Sequence, residues 1–544
     1  MSTITIVLVM LLAVVISGFI GRMLPLAVPL PLIQIALGFF VAMVLGVDVT
    51  LDPEIFFLLF LPPLLFLDGW RIPKHTLLKD KWTILELSLG LVIFTVVGMG
   101  FFINWLIPAI PLGVAFALAA VLSPTDPVAV TSIASRVPIP KRIVNILEGE
   151  SLLNDASGLV CLRFAIAAVL TGTFSLGDAA LTFLWLALGG IAIGVGVTFG
   201  IMRVKALITQ RFGEESGTQI LVSLLIPFGA YLAAEHLHCS GILAAVAAGI
   251  TMSYAELSGK ALAATRVRRN VVWDTLQFAA NGSIFVLLGE QLPRILKGAS
   301  QTVREAGHYD IGWLLVYIVI ITAGLVALRF VWVYASVHFT MLTKGSSTPM
   351  SHTTVLRLVG LMSVGGVRGA ITLAGILTLP FVLTDGTPFP ARDLAIFIAA
   401  GVIILSLLMA TLVLPYLARN LHLPAQPVQG NDENIARAAT ATAAIHAVER
   451  ALHLYTTGRT DADLYAGAAA RVMGRYRSRL EESLKTGEER EYTKQVNAIE
   501  RKLRGVALQA ERDELVSLGR KRHITDDLMR RLLQELDLIE ARDQ

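Results

Sequence analysis

Charge is scarce in this chain. Lys, Arg, Asp and Glu make up 16% of its 544 residues, against about 25% in an ordinary soluble domain. The shortage is uneven. Residues 431–544 hold 40 of these charges, and the first 430 residues hold 46. So little charge over most of its length excludes a large soluble enzyme. Cysteine is nearly absent too. There are two, and Cys161 lies inside an apolar run, which excludes a disulfide framework. The opening Met1-Ser2-Thr3 lacks the basic n-region of a secretory leader, and the apolar run from Ile4 to Ile20 is long enough to remain as a membrane span. A net charge of +4, with basic residues spread over loops, gives no footprint for nucleic acid.

Apolar residues are plentiful, at 55%. Thirteen apolar runs precede residue 420. Among them are span 3 (52–69), span 5 (110–134), span 6 (143–171), span 11 (311–340) and span 12 (352–382). At a rise of ~1.5 Å per residue each can cross a hydrocarbon layer of ~30 Å. Lipid leaves no partner for an open strand, so the expected class is an all-α polytopic membrane protein of about 13 helices. The loops after spans 2, 4, 6 and 8 contain no Lys or Arg. Those after spans 3, 5 and 9 carry Arg71, Lys74, Lys79 and Lys81, then Arg136, Lys141 and Arg142, then Arg266, Arg268 and Arg269. Positive loops stay in the cytoplasm, which puts the N-terminus outside and the C-terminus inside. Residues 1–422 read as a transmembrane domain, 423–430 as a Pro-containing linker and 431–544 as a soluble helical tail. In the tail Thr525 is placed as the N-cap of a last helix whose apolar face carries Leu528, Leu532, Leu533, Leu536 and Leu538. Two readings of the tail stay open: a regulatory or dimer-contacting domain, and a solvated helical appendage. It contains no nucleotide-binding or metal-binding motif.

Ionisable residues at membrane depth are site candidates. In Ser123-Pro-Thr-Asp-Pro127 the two prolines remove helical hydrogen bonds around Asp126, and the freed oxygens beside a carboxylate suit a small hard cation. In Glu148-Gly-Glu-Ser-Leu-Leu-Asn-Asp155 the spacing gathers Ser151, Asn154 and Asp155 on one helical face, with Glu150 below them. A buried carboxylate that binds either a proton or a cation, and gains little from both, has the chemistry of an exchanger. Arg329, in the middle of span 11, needs a buried partner, and Glu150 is the candidate. Arg368, in Gly365-Gly-Val-Arg-Gly369, sits where helix half-ends would present carbonyls. If spans 1–6 and 8–13 are two inverted repeats, the interrupted spans 5 and 12 correspond, the pattern of a midplane transport site. Asp68 reads equally as part of a cation path or as an interface residue, and Arg163 either snorkels outward or pairs within the site. His236-Leu-His-Cys239 has too few ligands for a metal centre.

In this order and spacing, Ser123-Pro-Thr-Asp-Pro127, Glu148–Asp155 and Gly365-Gly-Val-Arg-Gly-Ala370 make the chain resemble the monovalent cation/proton antiporter-1 family over roughly residues 5–420. That family contains bacterial Na⁺/H⁺ antiporters and animal sodium/proton exchangers. The resemblance implies thirteen helices in inverted repeats, a homodimer, and a core bundle moving against a dimerisation bundle in the bacterial cytoplasmic membrane. It further implies that Asp155 binds cation and proton alternately, with Ser151 and the Thr125 carbonyl as further ligands. Asn154 is then the neutral member of its pair, Glu150 and Arg329 a structural ion pair, and Asp126 and Arg368 the charges at the crossed half-helices. One Na⁺ is exchanged for one H⁺, for pH and sodium homeostasis, with no cofactor and no metal but the transported ion. One feature departs from the family: Leu67 intervenes between the Pro-Pro-aliphatic run and Asp68. Antiport of K⁺, a channel, and an intramembrane aspartyl protease using Asp126 and Asp155 are the alternatives.

Overall fold

The computed structural model describes residues 3–24, 28–45, 53–72, 81–126, 141–171, 176–213, 215–256, 263–305, 312–344, 352–383, 386–418, 429–456, 462–484, 487–521, 523 and 525–543. Pro127, the end of span 5, Lys74, Lys79, Arg136 and the linker as far as Val428 lie outside them.

The first unit, Met1–Leu423, is built of helices joined by short non-helical segments. Its helices are α1 (Thr3–Met23), α2 (Leu30–Leu45), α3 (Pro53–Arg71), α4 (Lys81–Leu85), α5 (Leu91–Leu106), α6 (Leu112–Leu122), α7 (Lys141–Thr171), α8 (Leu176–Phe212), α9 (Ser216–His236), α10 (Gly241–Glu256), α11 (Ala263–Glu305), α12 (Gly312–Lys344), α13 (His352–Val364), α14 (Ala370–Leu377) and α15 (Arg392–Ala418). A π-helical turn, Glu86–Gly90, joins α4 to α5. Among the described helices, eight stretches are long and apolar enough to cross a membrane, and four shorter apolar helices accompany them. Large apolar side chains such as Trp185, Leu188 and Phe199 are exposed along α8, as expected of a surface solvated by lipid tails.

Two groups of helices recur in the packing. In one, α2 crosses α11 and α3 crosses α10; in the other, α5, α6 and α7 pack in sequence and α12, α13 and α15 pack together. The α3–α10 crossing is set by glycine. A Cβ on Gly69 would lie 2.5 Å from the Val246 carbonyl oxygen, and one on Gly249 would overlap the Phe66 carbonyl. Two backbones in such contact hold α3, and with it Asp68, in a fixed register.

Three basic residues assigned to a loop from sequence lie instead in the first turns of α11, which starts at Ala263. Arg269 is buried there, paired with Glu256 of α10 and 5.2 Å from the centroid of the Trp70 ring. Its partners come from distant segments, so a count of local charge could not distinguish it from a solvated loop cation.

The second unit, Pro424–Gln544, contains α16 (Gln429–Thr456), α17 (Ala462–Leu484), α18 (Gly487–Arg520) and α19 (Asp526–Asp543). Helices α16 and α17 pair, as do α18 and α19. Thr525 caps α19: its hydroxyl accepts from the Leu528 amide at 3.3 Å, and Leu536 is buried. Arg512 ties α18 to α19, bonding Asp537 at 2.6 Å and also Glu540. Those hydrogen bonds, Glu540's first, raise its guanidinium above its ordinary range.

Candidate functional site

The site begins where two helices stop in mid-unit. Helix α6 ends at Leu122, just before Pro124, and α13 ends at Val364, before Gly365 and Gly366. The two extended segments meet: the Asp126 amide donates to the Val367 carbonyl at 2.7 Å. Arg368 neutralises the carbonyl ends. Its Nε donates to the Leu122 carbonyl at 2.9 Å and its Nη1 to Gly366, while its own backbone amide donates to Ser406 Oγ of α15 at 3.2 Å. The oxygen freed at the end of α6 is therefore held by a guanidinium. Asp126 lies on the other side of the crossing, against the first turn of α14, whose N-cap, Gly369, supplies no side chain. A methyl group on Gly369 would overlap Asp126 Oδ2. Gly369→Ala is therefore expected to displace the carboxylate and to lower at least tenfold, in everted vesicles, the exchange that the family resemblance implies. Gly360→Ala is the control, since its added carbon would meet only Leu417, at 3.6 Å.

Helix α7 carries the second half. Glu150 is fully buried and accepts both guanidinium nitrogens of Arg329, at 2.5 and 2.7 Å. Thr125 and Asn154 also donate to Glu150 Oε1, at 3.3 and 3.4 Å, and the third Arg329 nitrogen bonds the Met362 carbonyl at 2.9 Å. A buried ion pair with its remaining valences filled is a stable arrangement. Asn154 Nδ2 donates to Thr125 Oγ1 at 2.9 Å, which fastens α7 to the break after α6. Its Oδ1 has no hydrogen-bond partner among the described residues.

The next residue, Asp155, is 5% exposed and points into a cavity of about 310 Å³. Asp68, Asp126, Ser151 and Thr125 line the same cavity. All the carboxylates singled out from sequence thus meet there except Glu150, which is sealed beneath. Among the described residues Asp155 has no ion-pair or hydrogen-bonding partner: the buried Arg329 and Arg368, like Arg269, spend their charge elsewhere.

Sequence reasoning missed part of the wall. Glu148, Gln277 and Asn281 also line the cavity, as does Arg71, which pairs with Asp274 and bonds Gln277 Oε1 at 2.9 Å. Asp274, Gln277 and Asn281 recur at helical spacing along α11, a polar stripe in an apolar run that could have been read as cavity-facing. Arg163 does not enter the site; it pairs with Glu235 of α9 at 2.8 Å. His236 and Cys239 join no cluster of three or more metal-ligating side chains among the described residues.

The sequence model for the transmembrane domain of sodium/hydrogen exchangers matches residues 7–420. The chain belongs to this family. It is 43% identical over 542 residues to the Escherichia coli protein named Uncharacterized Na(+)/H(+) exchanger YjcE, covering 98% of each. It is 44% identical over 426 residues to the Bacillus subtilis Sodium, potassium, lithium and rubidium/H(+) antiporter, covering 77% of this chain and 62% of that one. Among solved structures, the sodium proton antiporter MjNhaP1 of Methanocaldococcus jannaschii aligns with a TM-score of 0.58 at 19% identity, over 77% of this chain and 99% of its own. That likeness shows a shared fold. Members of the sodium/hydrogen exchanger family are secondary transporters rather than enzymes, and this chain is one of them.

Proposed function

We propose that this exchanger carries Na⁺, and also Li⁺ or K⁺, one for one against H⁺, with Asp155 binding the cation and the proton in turn. The observation that carries the reading is the state of Asp155: a carboxylate at the wall of an open cavity, near Asp68 and Asp126, with no guanidinium on it. Held by an arginine and closed off from water, it could exchange nothing. Ser151 and the Thr125 carbonyl are the further cation ligands, and Asp68 and Glu148 make the approach negative. Glu150 and Arg329 hold the site's shape, and Asp126 and Arg368 offset the half-helix ends. Asn154, uncharged, leaves one titrating carboxylate per cation, which makes the exchange electroneutral.

Alternating access follows from two inverted repeats of thirteen helices in all, with the N-terminus outside and the tail in the cytoplasm. In that orientation the cavity opens inward, between α3, α7 and α11. Eight residues beyond Asp155 along α7, the Arg163–Glu235 ion pair joins α7 to α9, which packs on α10 and α3 of the first helix group. A homodimer in the cytoplasmic membrane is the expected assembly. The broad ion range takes support from the named substrates of the Bacillus subtilis relative. Proton and cation flux in liposomes, with Na⁺, Li⁺ and K⁺ in turn at clamped voltage, tests the whole reading. Coupled fluxes that ignore voltage are expected; cation flux without proton counterflow would replace exchange by a channel.

A further inference from the structure

The tail, which shows no ligand motif in its sequence, contains a second cavity of about 860 Å³ within its own unit. Its charge is one-sided. Arg437 of α16, Arg479 of α17 and Arg501 of α18 line it, with Glu482 the one carboxylate on its wall among the described residues. Tyr476 and Asn497 complete the polar lining, and the Arg479 guanidinium lies 5.8 Å from the centroid of the Tyr476 ring.

Residues 431–544 carry 20 acidic and 20 basic side chains, so partners for arginine are abundant. Elsewhere in the tail they are used: Arg504 reaches Glu500 at 4.0 Å and Arg512 reaches Asp537 at 2.6 Å. Arg479 and Arg501 are different. Among the described residues neither has a carboxylate within 4.0 Å, and Arg501 donates only to the Asn497 carbonyl of its own helix, at 3.4 Å. The Arg479 and Arg501 guanidinium groups, brought to one hollow from two helices, repel one another unless an anion joins them. The guanidinium fork matches phosphate oxygens in pairs, and an aromatic face beside it suits a planar base. A volume near 860 Å³ falls within the range of small-molecule sites and exceeds what a bare phosphate fills.

We propose that this cavity is a binding site for a phosphate-bearing ligand of nucleotide size, with Arg479 and Arg501 on the phosphates and Tyr476 against the base. The proposal goes beyond ion exchange and is read by binding alone, so its failure and that of the antiport reading are separate results.

The test uses the full-length protein purified in detergent, with ADP as probe and titration calorimetry as readout. Inorganic phosphate and phosphatidylglycerol vesicles are titrated in parallel arms. ADP is expected to bind saturably and to weaken as salt is raised. Arg479→Ala with Arg501→Ala is expected to weaken it at least tenfold without changing the thermal melt of the ligand-free protein. Glu482→Gln, which removes the opposing charge and leaves the arginines in place, is expected to tighten it about threefold. ADP binding that does not saturate by about 1 mM, or that is unchanged in the arginine double variant and in Glu482→Gln, would overturn the site. Capture of the vesicles with no binding of ADP would overturn the nucleotide assignment in favour of a lipid headgroup.

Discussion

Asp155→Asn is expected to reduce cation/proton exchange in everted vesicles, followed with a pH dye, to the level of vesicles without the protein. The change keeps the shape of the side chain and removes its charge. A carboxylate about 4 Å from a unit charge contributes about 4 kcal/mol at an effective dielectric constant of about 20, nearly a thousandfold in occupancy. Asparagine also cannot release a proton in this range, so both ions lose their carrier together. In the unaltered protein, proton and cation compete for one group, and the cation concentration needed for half-maximal rate rises as pH falls. Asp68 and Asp126 share the cavity and provide the rival explanation. Near-normal exchange in Asp155→Asn would transfer the carrier role to one of them.

The second large effect concerns folding. Arg329→Ala is expected to cost more stability than Glu150→Ala and Arg329→Ala together. Glu150 has no exposed surface and takes two hydrogen bonds from Arg329. Removing only the arginine leaves a carboxylate sealed in the unit with Thr125 and Asn154 as its remaining donors, a loss of about 3–5 kcal/mol. Removing both charges leaves a void and three hydrogen-bonding groups, on Thr125, Asn154 and the Met362 carbonyl, with one partner fewer, which costs less. Folded yield and thermal melting in detergent measure the difference. Equal losses in the two variants would show that the pair is not what stabilises this part of α7 and α12.

The positions of the candidate residues were legible to different degrees, for physical reasons. Asp126, Asp155 and Arg368 stand out because a charge inside an apolar run is costly and so marks a site wherever it occurs. Pro124 and the glycines around Arg368 mark the breaks because their effect on a helix is local. Arg329, in the middle of an apolar run, calls for a buried opposite charge, and Glu150 is the candidate that the family resemblance also implies. Arg163 was harder: snorkelling to the outer interface and pairing within the site fitted its position equally well, and the tertiary structure instead pairs it with Glu235 of α9. The cavity wall was harder still. Glu148 carries no signal that separates a cavity lining from an interface, and Gln277 and Asn281 carry one only when read together with Asp274 as a stripe along α11. The tail's arginines gave none at all, because Arg437, Arg479 and Arg501 come together only through three helices.

What the amino-acid order determined alone is whatever depends on hydrophobicity and local backbone chemistry. That covers an all-helical membrane unit followed by a charged helical one, two broken helices, and a short roster of costly buried charges. The tertiary structure decided which charge meets which. It put Arg368 on the Leu122 carbonyl, Arg329 on Glu150, and no guanidinium on Asp155. Burial cost is a property of one residue and its neighbours in sequence, and so it can be read along the chain. Compensation of that cost is a property of pairs separated by up to 246 positions, and only packing brings such pairs within a hydrogen bond's length.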